Sequence, residues 1–161
     1  DTLLVEGKLL RLEVEEGPHR TIRVIRQDAT LKISLPAATK PSERGEVVRD
    51  AVRRWLMQLA LQRTRERLPV LAKAVGVMPR RVRLKDMASR WGSCTGTNSI
   101  SLTYRIVMAP PGVMDYVLIH ELCHLVHRNH SKQFWALVAT HAPDYREHKA
   151  WLRRHAYELE I

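Results

Sequence analysis

Val117-Leu-Ile-His-Glu-Leu-Cys-His-Leu-Val-His-Arg-Asn-His130 is the stretch on which the reading of this chain turns. Its apolar residues Val117, Leu118, Leu122 and Leu125 recur at helical spacing, which predicts an amphipathic helix with one buried face. His120 and His124 stand one turn apart on that helix, so their imidazoles project from the same side at a spacing that can bite a single zinc ion. Glu121 adjoins the first of them. It can reach a water acidified by the metal without ligating the ion itself, which is the position of a general base.

A catalytic zinc generally has three protein ligands and one open position. Asn129 and His130 interrupt the helix, and Ser131 reads as the N-cap of the next one, which begins Lys132-Gln-Phe-Trp. The chain can therefore fold back after His124 and bring His130 over the metal as third ligand. Two rivals stand beside it. His127 lies on the same helical face with poorer reach, and Glu147 lies at the distance downstream where some zinc peptidases place a carboxylate ligand. Cys123 sits inside the motif but points away from the imidazole face and reads as a small buried residue. The spacing of Cys94 argues for no ligand role.

Working outward, residues 8–35 alternate like strands. Leu10, Leu12 and Val14 share one face, as do Ile22 with Val24, and Leu31 with Ile33 and Leu35. Turn signals at Gly17-Pro18 and Gln27-Asp28 predict an N-terminal meander of three antiparallel strands within residues 1–40. A long helix is expected over 41–76, with Val48, Val52, Trp55, Leu56 and Leu59 as its stripe and Pro69 as a break or restart. Residues 80–161 read as strands at Arg81–Lys85 and Asn98–Tyr104, followed by helices at about 112–128, 131–141 and 144–158. Sheet followed by helices, in one domain over 1–161, is an α+β arrangement. Phe134 and Trp135 are expected to pack against the core.

A length of 161 residues with 45% hydrophobic and 27% charged residues excludes a disordered chain or a fibre. No apolar run approaches the ~20 residues of a membrane span, and Asp1–Leu12 lacks the pattern of a secretory signal, so a soluble, cytoplasmic protein with no membrane partner is expected. The two cysteines, Cys94 and Cys123, make no disulfide scaffold. Lys and Arg number 27 against 17 Asp and Glu, a net +10, which favours anionic partners such as nucleotides or nucleic acid.

Ser89-Arg-Trp-Gly-Ser-Cys94, Asn98-Ser-Ile-Ser-Leu102, Ala109-Pro-Pro111, Asp115-Tyr-Val with His120-Glu-Leu-Cys-His124, and Asn129-His-Ser-Lys-Gln-Phe-Trp135 occur here in one order. In these pieces the chain resembles the YgjP-like metallopeptidase family, relatives of the SprT-like and WLM zinc-peptidase domains. The resemblance implies a zincin-type fold: a small mixed or antiparallel sheet backed by one helix, with the metal helix beneath. It also implies His120, His124 and His130 as metal ligands and Glu121 as the catalytic residue.

The expectation is a zinc-dependent hydrolase with one ion per chain, foremost a metallopeptidase acting on a protein or peptide. Two alternatives are a nucleoside triphosphate pyrophosphatase using the same site, and a nucleic-acid-associated module with a structural zinc. Arg90, Trp91 and Tyr104 are the substrate-binding candidates, with Tyr104, Tyr145 and Arg90 available to an oxyanion. Asp115 and Asp144 are the candidate carboxylates to orient a zinc histidine. Asn98–Leu102 is expected as an edge strand to which a peptide could add.

Overall fold

The structure is a computed structural model and describes residues 1–87 and 90–159. Four strands come first: β1 (Thr2–Val5), β2 (Lys8–Gly17), β3 (Arg23–Gln27) and β4 (Thr30–Pro36). They form a sheet of order β1-β2-β4-β3, in which β2 runs parallel to β4 while β1–β2 and β3–β4 are antiparallel. This corrects the expected meander. Leu31, Ile33 and Leu35 are 0–1% exposed, so β4 takes the central position. β3, which exposes Arg23, Ile25 and Gln27 on alternate positions, is left at the edge. Val14, expected on a buried face, is 50% exposed.

Glu6 and Gly7 turn the first hairpin with φ of 50° and 77°, the left-handed pair of a tight hairpin turn. A Cβ at Gly7 would lie 2.9 Å from Pro110 Cγ, so glycine is required there for space as well as for φ. The Glu6 and Gly7 amides donate to the carbonyls of Val107 and Met108, both at 2.9 Å. The first sheet is thereby fastened to the second half of the molecule. Glu6 also accepts from Arg26 of β3 at 3.0 Å and from Arg63 at 2.5 Å. Burial raises the Glu6 pKa, but the Arg63 and Arg26 hydrogen bonds and charges outweigh it and leave the carboxyl below its ordinary value.

α1 (Arg44–Val75) follows a short 3₁₀ turn at Pro41–Glu43 and runs unbroken through Pro69. The expected break is absent because Pro69 and Arg65, whose carbonyl loses its donor, are both exposed, where water replaces the missing hydrogen bond. Gly76 closes the helix in the left-handed conformation. Ala51, Val52, Leu56, Ala60 and Ala72 bury its inner stripe against the 3₁₀ segment Tyr104–Met108 and the helix α2 (Pro111–His124).

The second sheet contains β5 (Arg81–Lys85), β6 (Gly92–Cys94) and β7 (Ser99–Thr103) in the order β5-β7-β6. β7 is parallel to β5 and antiparallel to β6. It is the central strand, with Ile100, Leu102 and Thr103 at 0% exposure, and this corrects its expectation as an edge. The edges are β5 and β6, and β6 packs on α2. The helices α3 (Lys132–His141) and α4 (Tyr145–His155) then pack against α2 and complete an α+β architecture with two small mixed sheets.

Candidate metal centre

α2 opens after Pro110 with Pro111 in its first turn, where a missing amide hydrogen costs nothing. Val113, Met114, Val117, Leu118 and Leu122 are buried. That apolar face leaves His120 and His124, both half-buried, on the other side with ring centroids 4.8 Å apart. The helix ends at His124. The amides of Leu125 and Val126 bond to the carbonyls of Leu122 and Cys123, and the chain returns across the end of the helix.

Ser131 caps α3, its Oγ accepting from the Phe134 amide at 3.2 Å, as its sequence position predicts. His130, on the returning segment, is exposed, and its Nε2 lies 3.0 Å from His124 Nε2. One ligand atom from each of His120, His124 and His130 falls within 4.8 Å of the others, so the three histidines can hold one metal ion.

Their neighbours hold the rings. Nδ1–H of His124 donates to the carbonyl of His127 at 3.1 Å, which leaves the lone pair on Nε2, the atom facing His130. Tyr116 Oη lies 3.5 Å from His120 Nδ1, at the outer limit of a hydrogen bond. Phe134, fully buried, stacks on the His124 ring at 4.3 Å, and Trp135 stacks on His130 at 5.8 Å. Burial, followed by the charges of His124, His130 and Lys149, drives the pKa of His120 down to about 3. Burial lowers His124 as well. Neutral imidazoles are the form that binds a metal, so His120 and His124 meet that requirement of a donor set.

Glu121 points from the same helix into the cleft between α2 and β6. It is 4% exposed, its Oε2 has no hydrogen-bond partner among the described residues, and burial pushes its pKa up to about 7. Gly92 makes this placement possible. A Cβ there would meet Glu121 Cγ at 3.0 Å and the Ser101 carbonyl oxygen at 3.1 Å, so any side chain would press the carboxylate or the neighbouring strand out of place by a few tenths of an ångström. Two cavities meet at this point. One, of about 430 Å³, is polar and holds all three histidines with Ser93, Cys94 and Arg128; the other, of about 520 Å³, is walled by Trp91, Tyr116, Val117 and Leu152. Arg90, Gly92, His120 and Glu121 line both.

Of the substrate-binding candidates, Arg90 and Trp91 face this cleft. Tyr104 does not; it is 2% exposed beside the Arg105 guanidinium and lines neither cavity. Tyr145 stacks on Trp135 and likewise lines neither cavity. Ser89, the first residue of the quoted motif, lies outside the described residues.

Of the carboxylates expected behind the histidines, Asp115 is engaged elsewhere, receiving two hydrogen bonds from Arg67 at 3.0 and 2.9 Å. Asp144 is the exposed N-cap residue of α4, and its backbone carbonyl accepts from the His148 amide. Glu147 is exposed on α4, outside the cluster. Cys123 is fully buried, with its thiol pushed up to about 12. The groups missed from sequence are the His127 carbonyl, Tyr116 and Gly92. Tyr116 did carry a signal, since it stands four residues before His120 on the same helical side.

The family model of the YgjP-like metallopeptidase domain matches residues 1–155. The chain belongs to that family. No curated protein matches it, and no solved structure does. As a YgjP-like domain the chain is a metal-dependent hydrolase of the metallopeptidase type, and three of its histidines can hold the ion. None of its described helices is long and apolar enough to cross a membrane.

Proposed function

We propose that this YgjP-like domain is a zinc-dependent metallopeptidase of the zincin type, with His120, His124 and His130 as the ligands of one ion and Glu121 as the general base. The observation that carries the reading is a buried carboxylate, its Oε2 without a hydrogen-bond partner among the described residues, one residue from the first of three converging imidazoles. Three imidazoles, with no fourth His, Cys, Asp or Glu grouped with them among the described residues, suit zinc, which when bound supplies Lewis acidity and lowers the pKa of water.

The chain's own groups account for the proton path. Glu121 takes a proton from water at a carboxylate oxygen as the water oxygen bonds to the peptide carbonyl carbon. It then gives that proton to the departing amine nitrogen as the C–N bond breaks. β6 offers an extended substrate a free strand edge beside Glu121, in place of the edge expected at Asn98–Leu102. Arg90 and Trp91 flank the same opening and can hold the substrate backbone and side chain.

Glu121→Gln should keep about one zinc per chain and lose roughly 10²–10⁴-fold in turnover of unfolded casein. The wild type and the variant are assayed side by side, with zinc content read by elemental analysis and nucleoside triphosphates as the second substrate. Equal turnover of casein by the two proteins would overturn the role of Glu121. Consumption of nucleotide alone would overturn the peptidase reading.

A further inference from the structure

The cavity of about 520 Å³ has a composition unlike that of its neighbour. Trp91, Tyr116, Val117 and Leu152 give it apolar walls, and its volume lies within the roughly 300–1,000 Å³ of small-ligand sites. Arg90, Lys149 and Arg153 stand exposed around it, while Glu121 is its one acidic residue among the described residues. Arg146, Lys149 and Arg153 recur at helical spacing along α4, and Glu147 is the only acid in that helix. Neither Arg90 nor Arg153 forms an ion pair among the described residues. An occupant that satisfies both parts of this cavity has an apolar body and an anionic end close together.

Building on the peptidase reading above, we infer that this cavity receives the C-terminal end of the substrate: a large apolar side chain against Trp91, Val117 and Leu152, with its free α-carboxylate held by Arg90, Lys149 and Arg153. A terminal residue carries its carboxylate one bond from the carbon that bears the side chain, so charge and apolar surface fit within one cavity. An acidic side chain further along would need a second residue to bridge the distance. Glu121 and His120 line the same cavity, so the bond cut lies just upstream of the residue it holds. The released piece is a single amino acid or a very short peptide. Water adds across the peptide bond: its oxygen goes to the upstream carbonyl carbon and a proton to the amine of the released piece. Guanidinium–carboxylate hydrogen bonds supply the selectivity, because an amide end offers them no charge.

The test uses the full zinc-loaded chain and four matched peptides: one ending in Leu with a free acid, the same with an amide end, one ending in Leu-Asp-amide, and one ending in Ala with a free acid. The expected result is a preference of about tenfold or more in kcat/KM for the Leu acid over its amide, appearing mainly in KM, since a tenfold ratio corresponds to about 1.4 kcal/mol. Arg153→Gln and Arg90→Gln should each shrink that ratio several-fold, and the double variant should abolish it. Equal rates for acid and amide, or a ratio intact in the double variant, overturn the assignment. A preference for Leu-Asp-amide over the Leu acid also overturns it, as does a faster Ala acid.

Binding keeps the inference separable from the peptidase reading. Glu121→Gln is titrated calorimetrically with the Leu acid and its amide. Tighter binding of the acid, lost on adding Arg90→Gln and Arg153→Gln, supports the pocket even if no peptide is cut. Equal binding of acid and amide removes it even if casein is hydrolysed.

Discussion

The two sheets of this molecule share one pairing pattern and differ in what covers their edge. In each, the most buried strand is parallel to one neighbour and antiparallel to the other: β4 between β2 and β3, and β7 between β5 and β6. At the first sheet the antiparallel edge, β3, presents exposed Arg23, Ile25 and Gln27. At the second sheet the antiparallel edge, β6, lies half-buried against α2, with Gly92 in contact distance of Glu121. The same local hydrogen bonding yields a scaffold in one case and a wall of the histidine-lined cleft in the other. The difference lies in the helix that packs there, not in the strands.

The comparison breaks most visibly in the two cores. Ile33→Ala and Ile100→Ala both open a cavity under a central strand at a fully buried position, and each should cost about 2–5 kcal/mol in denaturant unfolding. Zinc affinity, measured by chelator competition below the unfolding transition, should fall for Ile100→Ala and hold for Ile33→Ala. Equal loss of zinc affinity in both variants would mean that the sheets are not independent in function.

The edges differ by a smaller amount. Gly92→Ala forces a Cβ to 3.0 Å from Glu121 Cγ and should cost about 1–3 kcal/mol, with at least about a tenfold loss of hydrolysis. Gly17→Ala, at the end of β2, meets Ser34 Cβ at 3.4 Å, an ordinary contact, and should stay within about 0.5 kcal/mol and keep activity. An active, stable Gly92→Ala protein would show that the close approach of β6 to the carboxylate is dispensable.

Next in size is the cap that holds the third histidine's segment. Ser131→Ala removes the hydrogen bond from the Phe134 amide and should cost about 1 kcal/mol in unfolding. Because Phe134 stacks on His124, zinc affinity should weaken in step with it. The smallest effect belongs to the joint between the halves. Glu6 has a lowered pKa in the folded protein, so its stabilisation is complete above the ordinary value of 4.5 and is lost as the pH falls through that value toward the folded one. The wild type should therefore melt above Glu6→Gln near neutral pH and converge on it in acid. A constant difference at every pH would show that the Glu6 carboxylate charge is not what joins β3 to α1.

The helix carrying His120, Glu121 and His124, the fold-back to His130 and the cap at Ser131 were all legible, because each depends on residues within one or two turns of one another. Pro69 misled, since proline's cost depends on whether its orphaned carbonyl reaches water, and burial is not written in the neighbouring residues. The insertion of β4 between β2 and β3 was illegible for a related reason. Strand order follows which strand can be covered on both sides, and Leu31, Ile33 and Leu35 win that place only once the core has closed over them. Asp115 and Asp144 were reasonable orienting groups by residue type, yet Arg67, far away in sequence, claims the first.

Local spacing by itself determined the chemistry this chain can offer, because an α-helix places residues four apart on one side whatever surrounds it. Tertiary packing alone decided that a glycine from a distant strand would slide past Glu121, and that one side of the cleft would be apolar and ringed with cations. Those outcomes depend on surfaces brought together from remote parts of the chain, where burial and close contact arise only after the core has closed.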